Sequence, residues 1–374
     1  MAKGTILLAA GGTGGHLFPA EALAHELTAR GWTIHLATDD RAGRYAGSFP
    51  AVAVHPIASA TFGSRNPIKL AGAFWTIWRG VRQSSDLIRR IKPAAVVGFG
   101  GYPTLPPLYA ATRRKVPTLV HEQNAVMGRA NKALAARVNA IAGGFLRAAG
   151  PRAAKIVEVG NPVRPAVLAL QGAPFDPPRE GRPIRLLVFG GSQGARFFSD
   201  MAPEAMARLP DLLKSRIVVT QQARAEDQAR VKARYAELGV AADVEPFFSD
   251  LPQRMAEAHL VLSRAGASTV LELSVIGRPS ILVPLPHALD DDQGHNAQLL
   301  VDAGAAVMRR QPTIDADTLA HDIAALIGDP DRLAAMASGA RGVARTNAAE
   351  LLADLAEAIA SDITVQAYKG GSRA

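Results

Sequence analysis

Residues 6–20 read ILLAAGGTGGHLFPA: a short apolar run, Ile6 to Ala10, then four glycines and a histidine. An apolar run that stops on a glycine turn and resumes as a helical stripe opens a strand–turn–helix unit. Ala20, Leu23, Ala24 and Leu27 supply the stripe, and Gly31 stands where a glycine ends a helix. The turn fits neither common phosphate fingerprint. Counted from Gly12, G-x-G-x-x-G would need a glycine where Leu17 stands, and the lysine of a P-loop is missing.

Outward from this unit the pattern repeats. TIHLAT (33–38), AAVVGF (94–99) and PTLVHE (117–122) read as further strands separated by helical stretches, which predicts a parallel sheet with helices on both faces. The pattern lapses from Val163 to Pro183, where QGAPFDPPREGRP carries four prolines and two glycines in thirteen residues, as a linker would. RLLVFGGSQGAR (185–196) then restarts the opening theme, Gly11, Gly12, Thr13 and Gly15 matching Gly190, Gly191, Ser192 and Gly194. Strands follow at 216–220, 260–263 and 280–285, and the last fifty residues read as alanine-rich helix. The expectation is an α/β chain of two similar domains facing a cleft, with ligands outside the carboxyl ends of the strands.

Composition sets limits. A chain of 374 residues with 48% hydrophobic and 20% charged residues can bury two domain cores. Without cysteine it forms no disulfide and uses no thiolate. A formal charge of +9 favours an anionic partner: a nucleotide, a nucleic acid or an acidic membrane. Lys3 precedes only five apolar residues, too few for a signal peptide. The uncharged run 94–112 has membrane length, but Gly98, Gly100, Gly101, Pro103, Pro106 and Pro107 would break a membrane helix. Neither secretion nor a spanning segment is expected.

Several stretches carry candidate chemistry. Glycine turns let a backbone approach a ligand, and a following helix N-terminus favours an anion; a tight packing turn is the structural alternative. Asp39, after the second strand, reads as a solvated loop carboxylate, since the dinucleotide fingerprint is broken. His16 starts the first helix, where the dipole disfavours positive charge, so a neutral imidazole there can act as a base or simply pack. HEQN (121–124) concentrates hydrogen-bonding groups at a strand end, suiting a polyhydroxylated ligand or an ordinary polar loop. Thr269-x-x-Glu272 has the pattern of a capping box, and Glu272 is otherwise a carboxylate for ribose hydroxyls. Asp290, Asp291 and Asp292 lack partner ligands at a metal-binding spacing, so no metal is expected. Phe74, Trp75, Ile77 and Trp78 stand among Arg79, Arg82 and other cations, a segment suited to an anionic membrane surface or to a core helix. No nucleic-acid motif is present.

GGTGGHLFPA, GFGGYPT, HEQNAVMGRANK, GNPVR, GGSQGAR and SRAGASTVLEL occur in order from residue 11 onward, and as an ordered set they resemble the bacterial peptidoglycan N-acetylglucosaminyltransferases, the MurG family. The resemblance implies a GT-B fold of two Rossmann-like domains, 1–163 and 164–341, with a helix near 342–362 packing back on the first. It implies inverting transfer of N-acetylglucosamine from UDP-GlcNAc to the 4-hydroxyl of the muramyl sugar of undecaprenyl-pyrophosphoryl-muramyl-pentapeptide. The enzyme would work peripherally at the cytoplasmic face of the inner membrane, beside other cell-wall synthesis proteins and without a cofactor.

Residue by residue, it implies that His16 is the general base, helped by Asn124. It places Gly12, Gly15 and Tyr102 in acceptor or diphosphate loops. Thr13, Gly14, Gly15, Asn124, Arg164, Ser192, Phe248, Glu272 and Gln293 go to the donor. Trp75, Trp78, Arg79 and Arg82 would touch the membrane. One departure stands out: Asp292-Gln293 replaces a glutamine pair. The rival expectations are another GT-B enzyme of UDP-sugars, with a different acceptor or a 2-epimerase activity, and a non-catalytic nucleotide-sugar-binding protein.

Overall fold

The computed structural model of the chain describes residues 3–11, 13–39, 49–61, 66–191, 194–286 and 289–371. The chain divides into two compact units, Met1–Arg164 with Arg345–Ala374, and Pro165–Ala344.

Unit 1 runs through β1 (Gly4–Ala9), α1 (Gly14–Ala29), β2 (Trp32–Thr38), β3 (Ala53–Pro56), α2 (Pro67–Ile91), β4 (Ala95–Gly98), α3 (Leu105–Arg113), β5 (Thr118–Glu122), α4 (Arg129–Leu134), β6 (Ala140–Gly143) and β7 (Ile156–Glu158). Its seven strands pair in the order β3-β2-β1-β4-β5-β6-β7, all parallel. Helices cover both faces, which is why β1 is apolar at successive positions rather than alternating. Ile6 and Leu8 pack with Leu23 and Leu27 of α1, while Leu7 and Ala9 pack with Leu87, Ile88 and Leu108 from α2 and α3. The chain builds outward from β1 to β3, then returns to β4 and builds the other way. The order therefore reverses between β1 and β4, the switch point where ligands of such sheets bind.

Unit 2 runs through α5 (Pro165–Leu168), β8 (Ile184–Phe189), α6 (Arg196–Ala207), α7 (Asp211–Lys214), β9 (Ile217–Gln222), α8 (Ala225–Glu237), β10 (Ala241–Glu245), α9 (Leu251–Glu257), β11 (Leu260–Ser263), α10 (Ala267–Ile276), β12 (Ser280–Leu282), α11 (Asp292–Asp302), β13 (Ala306–Met308), α12 (Ala316–Ile327) and α13 (Pro330–Arg341). The sheet order is β10-β9-β8-β11-β12-β13, again parallel, so its switch point lies between β8 and β11. Leu186, Val188, Val219 and Leu262 pack against Phe198, Met206, Tyr235 and Ile323. The proline-rich stretch is fastened by Arg278, which is buried and donates to the carbonyls of Ala173, Pro174 and Ala256. Burial brings its pKa down to about 10, so it stays a cation satisfied by backbone alone.

The last helices, α14 (Ala348–Ala360) and α15 (Val365–Gly371), belong to unit 1. Leu352, Leu355 and Ile359 enter the core beneath α1. At the rim of this contact Arg30 donates to Asp354 and Glu357, and Glu357 also accepts from Trp32 Nε1 at 2.7 Å and Lys3 Nζ at 2.9 Å.

The strands expected from sequence appear as β1, β2, β4, β5, β8, β9, β11 and β12; β3, β6, β7, β10 and β13 are additional. The apolar run 94–112 is divided between β4 and α3. Among the described residues no helix is long and apolar enough to cross a membrane.

Candidate active site

In unit 1 the loops after β1 and β4 meet at the switch point. Gly11 N donates to Gly100 O at 3.1 Å, and Thr104 Oγ1, at the foot of the second loop, donates to Ala9 O at 3.1 Å. The His16 ring is packed against this glycine backbone. A Cβ built on Gly11 would stand 3.1 Å from His16 Cδ2, and one on Gly100 3.2 Å from His16 Cε1. Gly101 adds a φ of +77° and a Cβ position 3.1 Å from Gly11 Cα, so a side chain there would meet backbone as well as strain. The imidazole has its place because Gly11, Gly100 and Gly101 carry no side chain to fill it.

Thr13 is the extended N-cap of α1, with no side-chain capping bond, and Gly14 and Gly15 form its first turn. Tyr102, half-buried, starts a short 3-10 turn ending at Thr104. Gly12 lies outside the described residues.

Most of the HEQN stretch is turned inward. His121, Glu122 and Gln123 are buried and bonded to protein; only Asn124 is half-exposed. The Glu122 carboxylate accepts from Asn124 N and Nδ2, both at 3.1 Å, from Gly128 N at 2.8 Å and from Asn131 Nδ2 at 2.9 Å. Gln123 donates to Phe99 O, and Asn161 of the GNPVR stretch donates to Gln123 O, each at 2.9 Å. Burial drives the His121 pKa to about 4. Its neutral ring therefore donates from Nε2 to Gly160 O at 3.0 Å and accepts at Nδ1 from Gln123. The physical reason is that β5 is covered on both faces, so polar groups at its end must find protein partners. Arg164 is the last residue of unit 1, whereas the sequence reading set it at the head of the second domain. Its guanidinium lies 3.8 Å from the Phe18 ring centre, on α1.

In unit 2 the matching loop after β8 begins at Gly190, where a Cβ would meet Ala195 N at 2.4 Å. Ser192 lies outside the described residues. Across the switch point, Gly266 is the N-cap of α10 with extended ψ and no side-chain cap, leaving the helix N-terminus suited to an anion. The capping box expected at Thr269 and Glu272 is not formed, because Thr269 is already inside the helix; Glu272 is buried in its second turn.

The SRAG turn before α10 is held from three sides. Gln293 Oε1 accepts from Ala265 N at 3.3 Å and Leu285 N at 3.0 Å, while Asn296 donates to Ala265 O at 3.2 Å. Arg264, buried over Phe197 and Phe198, donates to Val283 O, Pro284 O and Gln311. Burial lowers its pKa to about 10. The signal for Arg264 in the sequence is its place directly after the apolar LVLS strand, where an arginine must be either solvated or bonded within the protein.

Asp291 grips Arg310 with both oxygens, at 2.5 and 2.8 Å. Asp292 accepts from Gln293 N at 2.8 Å, and its pKa is raised, first by burial and then by Asp291 and Asp290. Among the described residues no three His, Cys, Asp or Glu side chains are placed to hold a metal ion. Phe248 follows β10, buried, with the Arg254 guanidinium 4.3 Å from its ring centre.

The aromatic residues of the 65–92 segment, with Arg79 and Arg82, lie on α2. Phe74 and Trp75 are each 63% exposed and Trp78 47%, with the two indoles stacked at 4.9 Å. Arg79 and Arg82 are exposed beside them, and Arg82 lies 4.9 Å from the Trp78 ring centre. The half of α2 that packs into the core is the later one, through Ser84, Leu87 and Ile88.

The chain matches the glycosyltransferase family 28 N-terminal domain over residues 6–143 and the glycosyltransferase family 28 C-terminal domain over residues 185–355. It is 66% identical over 378 aligned residues to the UDP-N-acetylglucosamine–N-acetylmuramyl-(pentapeptide) pyrophosphoryl-undecaprenol N-acetylglucosamine transferase of Mesorhizobium japonicum, covering all of both chains. To the protein of that name from a Chelativorans species it is 63% identical, over 99% of each chain. The crystal structure of Acinetobacter baumannii MurG superposes with a TM-score of 0.72 at 28% identity, covering 95% of this chain and 99% of that one. Two doubly wound parallel-sheet units with these neighbours are the GT-B fold, and the chain belongs to glycosyltransferase family 28, among its MurG transferases.

Proposed function

We propose that this chain transfers N-acetylglucosamine from UDP-GlcNAc to the 4-hydroxyl of the muramyl sugar in undecaprenyl-pyrophosphoryl-muramyl-pentapeptide, a step of peptidoglycan synthesis. The observation that carries the reading is the His16 ring seated on glycine backbone at the first switch point, in a chain 66% identical end to end to a transferase named for this reaction.

His16 takes the proton of the 4-hydroxyl as the oxygen attacks the anomeric carbon. The bond from that carbon to the diphosphate oxygen breaks, UDP leaves with the electron pair, and the configuration inverts. Thr13, Gly14 and Gly15 serve the donor, Gly15 and Tyr102 also serve the approach of the acceptor and its diphosphate, and Asn124 supports the sugar. The N-terminus of α10 and Arg164 stabilise charge growing on UDP, with Ser192 as a further phosphate ligand and no metal assigned. Glu272 takes the ribose hydroxyls and the Phe248 backbone meets the base. Gln293 turns its NH2 to the sugar, since its carbonyl oxygen is occupied by Ala265 N and Leu285 N.

The acceptor is lipid-linked, and the exposed Trp75–Trp78 pair with Arg79 and Arg82 gives α2 the chemistry of an interfacial helix on anionic lipid. The enzyme therefore works peripherally at the cytoplasmic face of the membrane. The test is transfer from labelled UDP-GlcNAc to the lipid-linked muramyl-pentapeptide. UDP release that depends on acceptor is expected. UDP release or epimerisation of the donor without acceptor would overturn the reading.

A further inference from the structure

Strand β9 ends on two glutamines that face opposite sides of the sheet. Gln221 points into the core of unit 2, donating to Phe198 O at 3.0 Å and accepting from the Tyr235 hydroxyl. Gln222 points the other way and is also buried, at 7% exposure. Its Oε1 accepts from Gly190 N at 3.3 Å and its Nε2 donates to Pro246 O at 3.2 Å. Gly190 opens the glycine turn after β8, and Pro246 opens the loop after β10 that carries Phe247 and Phe248. Because β9 lies between β8 and β10 in the sheet, one side-chain amide closes on the loops of both neighbours.

The two bonds have fixed senses. A backbone N–H only donates and a carbonyl only accepts, so the bridge needs one acceptor and one donor on the same short planar group. Glutamine supplies both. Glutamate keeps the first bond and sets a carboxylate against a carbonyl in the second. Methionine fills the same volume and makes neither.

We propose that Gln222 is a positioning residue for the nucleotide half of the donor. It holds the glycine turn that meets the diphosphate and the loop that meets the base at a constant separation before the nucleotide arrives. This rests on the donor reading given above. A pre-set pair of loops lowers the ordering cost of binding, so the residue acts on affinity for UDP and not on the rate of the bound complex. The charged groups beside it are Glu245, its register partner on β10, engaged by Lys232 and Gln228, and Arg224, which faces Glu226 at 3.9 Å.

The experiment is calorimetric titration of the full chain with UDP, alongside KM and kcat for UDP-GlcNAc and a thermal melt of each variant. Q222M is expected to bind UDP about tenfold more weakly, the effect of two lost neutral hydrogen bonds, with kcat at saturating donor within about twofold of wild type. Q222E distinguishes positioning from mere packing through pH. At pH 8 its carboxylate opposes Pro246 O and binding is weak. At pH 5.5 the protonated acid donates as the amide does, and affinity relative to wild type at the same pH recovers. A folded Q222M that binds UDP as wild type does overturns the proposal, and so does a Q222E whose relative affinity ignores pH. A wild-type chain that does not bind UDP at all sinks the donor reading itself, a result distinct from either.

Discussion

His16 shows how much a single position depends on its neighbours. Its place at the head of α1 follows from the local sequence, but the packed ring follows from Gly11, Gly100 and Gly101, residues some 90 positions apart along the chain. Replacing His16 with alanine is expected to lower transfer by about 10²–10⁴-fold while leaving UDP binding and the melting temperature near wild type. Single-turnover assays and a melt check this, and near-normal turnover removes His16 from the base role. Asp292 is the second residue-scale case. Its pKa is raised, so on acidification it loses its charge earlier than an ordinary aspartate, and with it the capacity to accept only. With Gln293 assigned to the donor sugar, the neighbouring Asp292 is expected to make the KM for UDP-GlcNAc rise as falling pH protonates it, and D292Q to remove that part of the dependence. Parallel KM–pH profiles for the two proteins would show that Asp292 does not touch the sugar.

At the scale of elements, α2 separates two tasks along one helix. Its later turns bury Leu87 and Ile88, and its earlier turns leave Phe74, Trp75 and Trp78 exposed beside cations. The periodicity marks an amphipathic helix, yet composition alone left open whether the aromatics face the core or the solvent; packing against α3 settles it. The double change W75A/W78A is expected to weaken binding to anionic vesicles by at least about tenfold, because two large apolar side chains lose their burial in lipid. Transfer to a water-soluble short-chain acceptor should be unchanged, and sedimentation with vesicles together with the two assays tests this. Equal vesicle binding by variant and wild type would mean that α2 is not the membrane contact.

For the whole molecule, pH acts on unit 1 through groups that its tertiary structure has shifted. His121 has its pKa depressed to about 4 by burial. An unfolded chain takes up that proton at about 6.5, so stability is full above that pH and declines as pH falls from about 6.5 to about 4. Glu357 follows the carboxylate rule. Partial burial opposes its ionisation, but bonds from Trp32, Lys3 and Arg30 outweigh it and hold the pKa at about 2. Its contribution is present above about 4.5 and is lost as pH falls toward about 2. Melts of wild type, H121Q and E357Q across pH 3–8 are expected to show each loss missing from its own variant. E357Q should cost about 1–2 kcal/mol at neutral pH after solvent screening. Superimposable profiles would count against both assignments.

The alternation of apolar runs and helical stripes determined the doubly wound α/β class and its two halves, because strands covered on both faces must be continuously apolar. The glycine turns and their ordered motifs likewise marked the loops at the two switch points, since motif order survives in one dimension. β3, β6, β7, β10 and β13 escaped because they are only three to five residues long, too short to show a period of their own, and are fixed by pairing with a neighbouring strand. The side chains were decided only in three dimensions. HEQN reads as hydrogen-bonding groups for a ligand or an ordinary polar loop, and three of its side chains turn inward to scaffold a loop. Glu272 reads as half of a capping box that the helix starts too early to form. Gln222 carries no local signal, because its meaning lies in two backbone atoms on neighbouring strands. Hydrogen-bond direction and burial are properties of converging chain segments, and a sequence states only which groups are available to converge.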